Sequence, residues 1–141
     1  MVTFSLDASA ILRFVDKEAG ADRMEEIFDQ RDLGFARVTM CAVHWAKIVG
    51  FFLKKFDPAK AAATLAKVEF LSIEIIPVTV EQATQATRLR LRYKLPFADS
   101  FGLELAYNVS DSVLITADFD VKPAAQDIAI EFLPVKPSMT T

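Results

Sequence analysis

Asp7 directly follows the short β-rich run VTFSL, and Asp118 lies just past SVLIT with Asp120 two residues beyond. Asp99 opens the apolar stretch DSFGLELAYNV. Carboxylates that converge on one edge repel one another unless a cation neutralises them. Clustered oxygens with no cysteine or histidine partner suit Mg²⁺ or Mn²⁺ rather than zinc. Such ions assist phosphoryl chemistry by activating water and clamping phosphate. Each acid also has an ordinary explanation. Asp7 fits the N-cap of a helix opening near Ala8, Asp99 favours the positive end of a helix opening at Ala98, and Asp118 with Asp120 suits an Asx-type turn. Only convergence separates these readings, so the elements that carry the acids must be placed first.

Strands and helices alternate along the chain. VTFSL (2–6), FARVTM (35–40), SIEIIPV (72–78), SVLIT (112–116) and IAIEFLP (128–134) read as strands. ASAILRFVDK and DRMEEIFDQ carry helical spacing, as does 41–55. Asp57 before Pro58 is a strong helix start for a segment running to about Phe70. Thr79 with Gln82 forms a capping box that opens a helix through about Arg92. Pro96 marks a loop, DSFGLELAYNV a further helix, and ADFDVKP a turn-rich loop. Strands separated by helices imply crossover connections and a parallel sheet with helices on both faces, the α/β class. Ligands of such sheets bind outside the carboxyl ends of the strands. Asp7 and Asp118 therefore belong to one rim.

The composition fits one domain over residues 1–141, with 52% hydrophobic and 25% charged residues. A net charge of −3 argues against a general polyanion binder but leaves room for a local basic patch. One cysteine, Cys41, cannot form an internal disulfide, and no segment has the order of a signal peptide or the length of a membrane span. A cytoplasmic protein without a membrane partner is the expectation.

The stretch MCAVHWAKIVGFF places Lys47 in the middle of an apolar helical run. His44 is the only histidine and shares a face with Lys47, one turn later. It is read chiefly as an ordinary helix residue, with a metal-ligand or proton-carrier role as the alternative. Trp45 is expected to pack. In RLRLRYK, Arg88 and Arg92 share a face while Arg90 points elsewhere. A helix C-terminus favours such cations, and phosphate contact is the functional alternative.

FSLDASAIL, LPFADSFGLELA and VLITADFD resemble the hallmark segments of PIN-domain proteins, particularly the VapC-type toxins of VapBC toxin–antitoxin pairs. The resemblance covers nearly the whole chain. It implies a three-layer PIN-like fold, a parallel sheet of about five strands between helices, and a metal-dependent endoribonuclease with acids holding Mg²⁺ or Mn²⁺. It also implies an RNA substrate, a cognate antitoxin and a homodimer. Asp7, Asp99 and Asp118 match the family acids, Thr116 falls at the family's Thr/Ser position, and Asp120 matches a less regular extra acid. MCAVHWAKIVG aligns without a gap to the family's ISAVNLAEVVG, which puts the family glutamate on Lys47.

That substitution removes a ligand oxygen and adds a charge that repels a dication and can form salt bridges to the acids. Two function classes follow. One is a metal-dependent ribonuclease acting through Asp7, Asp99, Asp118 and Asp120, with Lys47 near the scissile phosphate. The other is a catalytically inactive module that binds RNA, an antitoxin or itself. An inactivating change at Lys47, selected or engineered, is a third origin for the same residue.

Overall fold

The computed structural model describes residues 1–135, so the last six residues of the expected 1–141 domain lie outside the described residues. The element order is β1 (Val2–Leu6), α1 (Ala8–Val15), α2 (Ala21–Asp32), β2 (Ala36–Cys41), α3 (Ala42–Lys55), α4 (Pro58–Phe70), β3 (Glu74–Ile76), α5 (Val80–Tyr93), α6 (Phe97–Asn108), β4 (Ser112–Thr116), a 3₁₀ helix (Phe119–Ala124) and β5 (Ile130–Phe132). All strand pairs are parallel, and the five strands lie in the order β3-β2-β1-β4-β5. The expected α/β class and the layered sheet are both present.

The central strands are buried on both faces, one lined by large apolar side chains and the other by small polar ones, among them Thr3, Ser5 and Thr39. Phe4, Leu6, Val38 and Met40 pack with Ile11, Met24, Ile27, Ile48, Phe52 and Val68 from α1 to α4. Leu114 of β4 packs with Leu89, Tyr93 and Leu103 of α5 and α6 in a second cluster. Local signals set the helix starts. Asp57 Oδ1 accepts from the Lys60 amide with Pro58 in the first turn, and Thr79 and Gln82 form the reciprocal capping box.

The outer strands are shorter than their sequence runs. The run 72–78 contributes only Glu74–Ile76, and 128–134 only Ile130–Phe132. Each has one neighbour, and at its carboxyl end pairing stops with that neighbour, at Cys41 for β3 and at Thr116 for β5. β2 lies one residue later than 35–40, and Cys41 is both its last residue and the N-cap of α3. The turn-rich 117–123 segment winds into the 3₁₀ helix once Asp118 caps it through the Asp120 amide.

Strand order explains where a site belongs. The chain runs from β1 outward to β2 and β3, then returns to place β4 on the other side of β1. The crevice outside the carboxyl ends of β1 and β4 is thus the switch point, where such sheets bind ligands. Leu6 is in register with Met40 and with Ile115, so Asp7 and Thr116 emerge side by side.

A candidate metal centre at the carboxyl rim

Asp7 ends β1 and caps α1. Its Oδ1 accepts from the Ala10 amide at 3.0 Å and from the Ser9 hydroxyl at 2.6 Å, while the Thr116 hydroxyl donates to Oδ2. Ser9 and Thr116 extend the network. The Ala117 amide donates to Ser9 Oγ at 2.8 Å, and the Asp118 amide donates to Thr116 Oγ1 at 2.9 Å. Both Asp7 oxygens therefore face donors, and the network fixes the backbone that carries Asp118. The carboxylate is only 3% exposed, so its charge is held by these donors rather than by water.

Asp99 is also only 3% exposed, but its surroundings are opposite in kind. It stands in the first turn of α6, and its Oδ2 is buried with no hydrogen-bond partner. Oxygens of Asp99, Asp118 and Asp120 lie within 4.8 Å of one another. Burial pushes the Asp99 carboxyl up to about 8, helped by the adjoining Asp118 carboxylate, to which a protonated Asp99 can donate. The more distant charge of Asp7 acts in the same direction, and Lys47 opposes it. A carboxylate facing carboxylates needs a proton or a cation between them. The donor set is all oxygen, which fits a hard divalent ion such as Mg²⁺ or Mn²⁺.

The acids expected at the rim thus divide. Asp99, Asp118 and Asp120 come together, and Asp7 lies beside them with a single donor on Oδ2, which leaves that oxygen a lone pair for an ion. Lys47 is exposed on α3, close enough to act electrostatically on Asp99 and His44. It makes no salt bridge to the acids among the described residues, although its sequence position allowed one. Its ammonium stays hydrated at the end of a flexible stem.

His44 is 1% exposed and uses both ring nitrogens on backbone. The Ala8 amide donates to Nδ1 at 3.0 Å, and Nε2–H donates to the Ala98 carbonyl at 2.8 Å. Burial holds its pKa below the ordinary histidine value, which keeps the ring neutral. No lone pair is left for a metal. Trp45 packs against the core under α1–α4. Arg90 donates to the Leu95 carbonyl at 3.3 Å and lies 5.9 Å from the centre of the Phe97 ring, while Arg92 pairs with Asp127 at 3.6 Å. These two arginines have structural partners, and Arg88 is exposed.

Two contributors were not singled out by sequence reasoning. Ser9 is signalled by its place two residues after a capping aspartate, where a hydroxyl returns to the cap. Gly102 is signalled by lying inside a helix, where glycine is costly without a packing reason. A Cβ there would stand 2.9 Å from His44 Nε2.

Comparison with known proteins agrees with this geometry. No curated protein sequence matches the chain significantly. Among solved structures, the fold is similar to VapBC2 from Rickettsia felis bound to a DNA fragment from their promoter, with TM-score 0.72, 14% identity, and 94% of this chain and 100% of that chain covered. It is similar to DNA-bound VapBC from Salmonella typhimurium, with TM-score 0.69, 16% identity, and coverage of 94% and 98%. VapBC-5 from Mycobacterium tuberculosis, a member of the VapBC family of toxin–antitoxin systems, gives TM-score 0.61 and 20% identity over 96% and 100% of the two chains. At such identities these likenesses concern the fold. The PIN domain family model matches residues 5–126, a span that holds the switch-point crevice, the three clustered aspartates, His44 and Lys47. The chain belongs to the PIN domain family.

Proposed function

We propose that this chain is a Mg²⁺- or Mn²⁺-dependent endoribonuclease of the VapC toxin type. The observation that carries the reading is the meeting of Asp99, whose Oδ2 is buried without a partner, with the carboxylates of Asp118 and Asp120 at the switch point of the sheet. Asp7, Asp99, Asp118 and Asp120 would hold the ion, with Thr116 tying Asp7 to the Asp118 backbone. The bound ion would acidify a water for in-line attack on an RNA phosphodiester and neutralise the phosphate. Asp99 would hold such an ion in its ionised form, because a ligating carboxylate is deprotonated. Lys47, exposed beside the acids, offers an ammonium to the scissile phosphate. The VapBC complexes among the structurally similar proteins support a cognate antitoxin for this chain; a homodimer in the cytoplasm is the setting that the resemblance to VapC-type toxins implies.

One observation favours a second reading. The position where PIN toxins resemble ISAVNLAEVVG carries Lys47, whose charge opposes a dication at Asp99. A PIN module that binds RNA, an antitoxin or itself without cleaving fits that charge. Mn²⁺ calorimetry and single-stranded RNA cleavage on this chain and on Lys47→Glu separate the two. Micromolar Mn²⁺ binding with cleavage by the unaltered chain supports the enzyme. Cleavage that emerges only in Lys47→Glu supports the inactive module. Neither metal binding nor cleavage in either protein would sink the nuclease reading.

A further inference from the structure

We infer that His44 is a positioning residue that sets the spacing of the two halves of the acidic rim, with Gly102 as its seat. The inference rests on the metal-site reading above and concerns how that site is held rather than what it does.

The two halves come from different parts of the chain. Asp7 caps α1, and Asp99 lies in the first turn of α6. No hydrogen bond links their side chains. The first-turn amide of Ala8 has no partner inside its own helix, as at any helix start. Here it donates to His44 Nδ1. On the opposite edge of the same ring, Nε2–H donates to the carbonyl of Ala98, the residue before Asp99. A single rigid imidazole therefore spans from the residue after Asp7 to the residue before Asp99. Accepting at Nδ1 and donating at Nε2 fixes one neutral tautomer.

The seat is shaped for the ring. His44 is 1% exposed, and Gly102, one turn after Ala98 in α6, lets the helix backbone approach Nε2. A Cβ at Gly102 would stand 2.9 Å from Nε2 and 3.3 Å from Cδ2, so an alanine must push the ring or the helix away. Glycine inside a helix costs about 1 kcal/mol relative to alanine, so its presence on this face has a packing reason. No other side chain carries a donor and an acceptor on opposite edges of a rigid ring of this width. An asparagine reaches one backbone group or the other.

The test compares the unaltered chain with His44→Asn and Gly102→Ala, because the glycine variant keeps the imidazole and disturbs only its seat. Mn²⁺ affinity is measured by calorimetry at a temperature where circular dichroism shows all three fully folded. Removing a partner that orients metal ligands lowers affinity by about 10- to 100-fold, and we expect both variants to fall in that range. In the metal-free proteins at one fixed pH, the ¹³Cγ resonances of Asp99 and Asp118 are expected to move in both variants, with Ala8 amide protection lost in His44→Asn. Unchanged Mn²⁺ affinity in both variants, beside a chain that binds Mn²⁺, overturns the inference and leaves the metal site standing. A chain that binds no Mn²⁺ overturns the metal-site reading instead. The carboxyl resonances then decide the positioning role, and their constancy in both variants overturns it.

Discussion

Asp7 and Asp99 are the same residue type, equally buried and at the same rim, yet they are built for different work. Asp7 meets a donor at each oxygen: an amide and a hydroxyl at Oδ1, a hydroxyl at Oδ2. Asp99 meets other carboxylates and leaves Oδ2 without a partner. Donors stabilise the ionised form of a carboxyl, whereas burial and like charge disfavour it. Asp7 accordingly ties β1, α1 and β4 together through these donors. Asp99 is a carboxyl that keeps its proton near neutral pH unless a cation replaces it. Burial and residue type alone do not separate a structural acid from a reactive one; the identity of the facing groups does.

The sharpest way to break this comparison is substitution at both positions. Asp99→Asn is expected to lower Mn²⁺-dependent RNA cleavage on the order of 10³-fold, read in single-turnover assays. The same variant should raise the stability of the metal-free protein in urea unfolding at pH 8, since an asparagine amide can donate to Asp118 where a carboxylate cannot. Asp7→Ala should do the reverse in kind and lower stability by about 2 to 4 kcal/mol, from the lost cap and the stranded hydroxyls. A stable Asp7→Ala beside an unstable Asp99→Asn would reverse the assignment.

The pH dependence sharpens it further. Asp99 has its folded pKa raised from 3.8 to about 8, so the folded protein holds a proton that the unfolded chain releases. Its contribution to stability is full below about pH 4 and is lost as pH rises towards 8, at no more than about 1.4 kcal/mol per pH unit. Mn²⁺ affinity should rise over the same window, because the ion displaces that proton. Urea unfolding and calorimetry from pH 4 to 9 on metal-free protein read both trends, and Asp99→Asn should flatten the first.

The smallest effect belongs to Glu104, buried further along α6. Burial raises its pKa, and Asn108 opposes the shift by donating to Oε1. Its sign is that of Asp99, so Glu104→Gln should stabilise by about 1 kcal/mol near pH 8 and leave stability unchanged near pH 3. Equal effects at both pH values would show that packing, not charge, governs that site.

Much of the fold was legible in the chain itself. The apolar runs before Asp7 and Asp118, the Asp57–Pro58 start and the Thr79–Gln82 box are local signals, and each acts within a few residues. The outer strands were read too long because residue type marks an extended run, whereas a strand exists only where it pairs, and β3 and β5 pair over three residues each and stop with β2 and β4 at their carboxyl ends. His44 was read as an unremarkable helix residue. Its two partners, Ala8 and Ala98, lie far away in sequence and offer only backbone, so no side-chain pattern announces them.

Sequence alone determined which residues could reach the rim: acids placed just past strands and at a helix start, and a lysine on the helix between them. Tertiary structure decided what each became. Strand order put β1 and β4 side by side, so Thr116 could donate to Asp7. The packing of α6 against α3 buried Asp99 without giving it a donor, while leaving Lys47 in water. A side chain carries its own charge and shape, but the groups that face it come from distant segments, and it is those groups that set whether a carboxyl is satisfied or reactive.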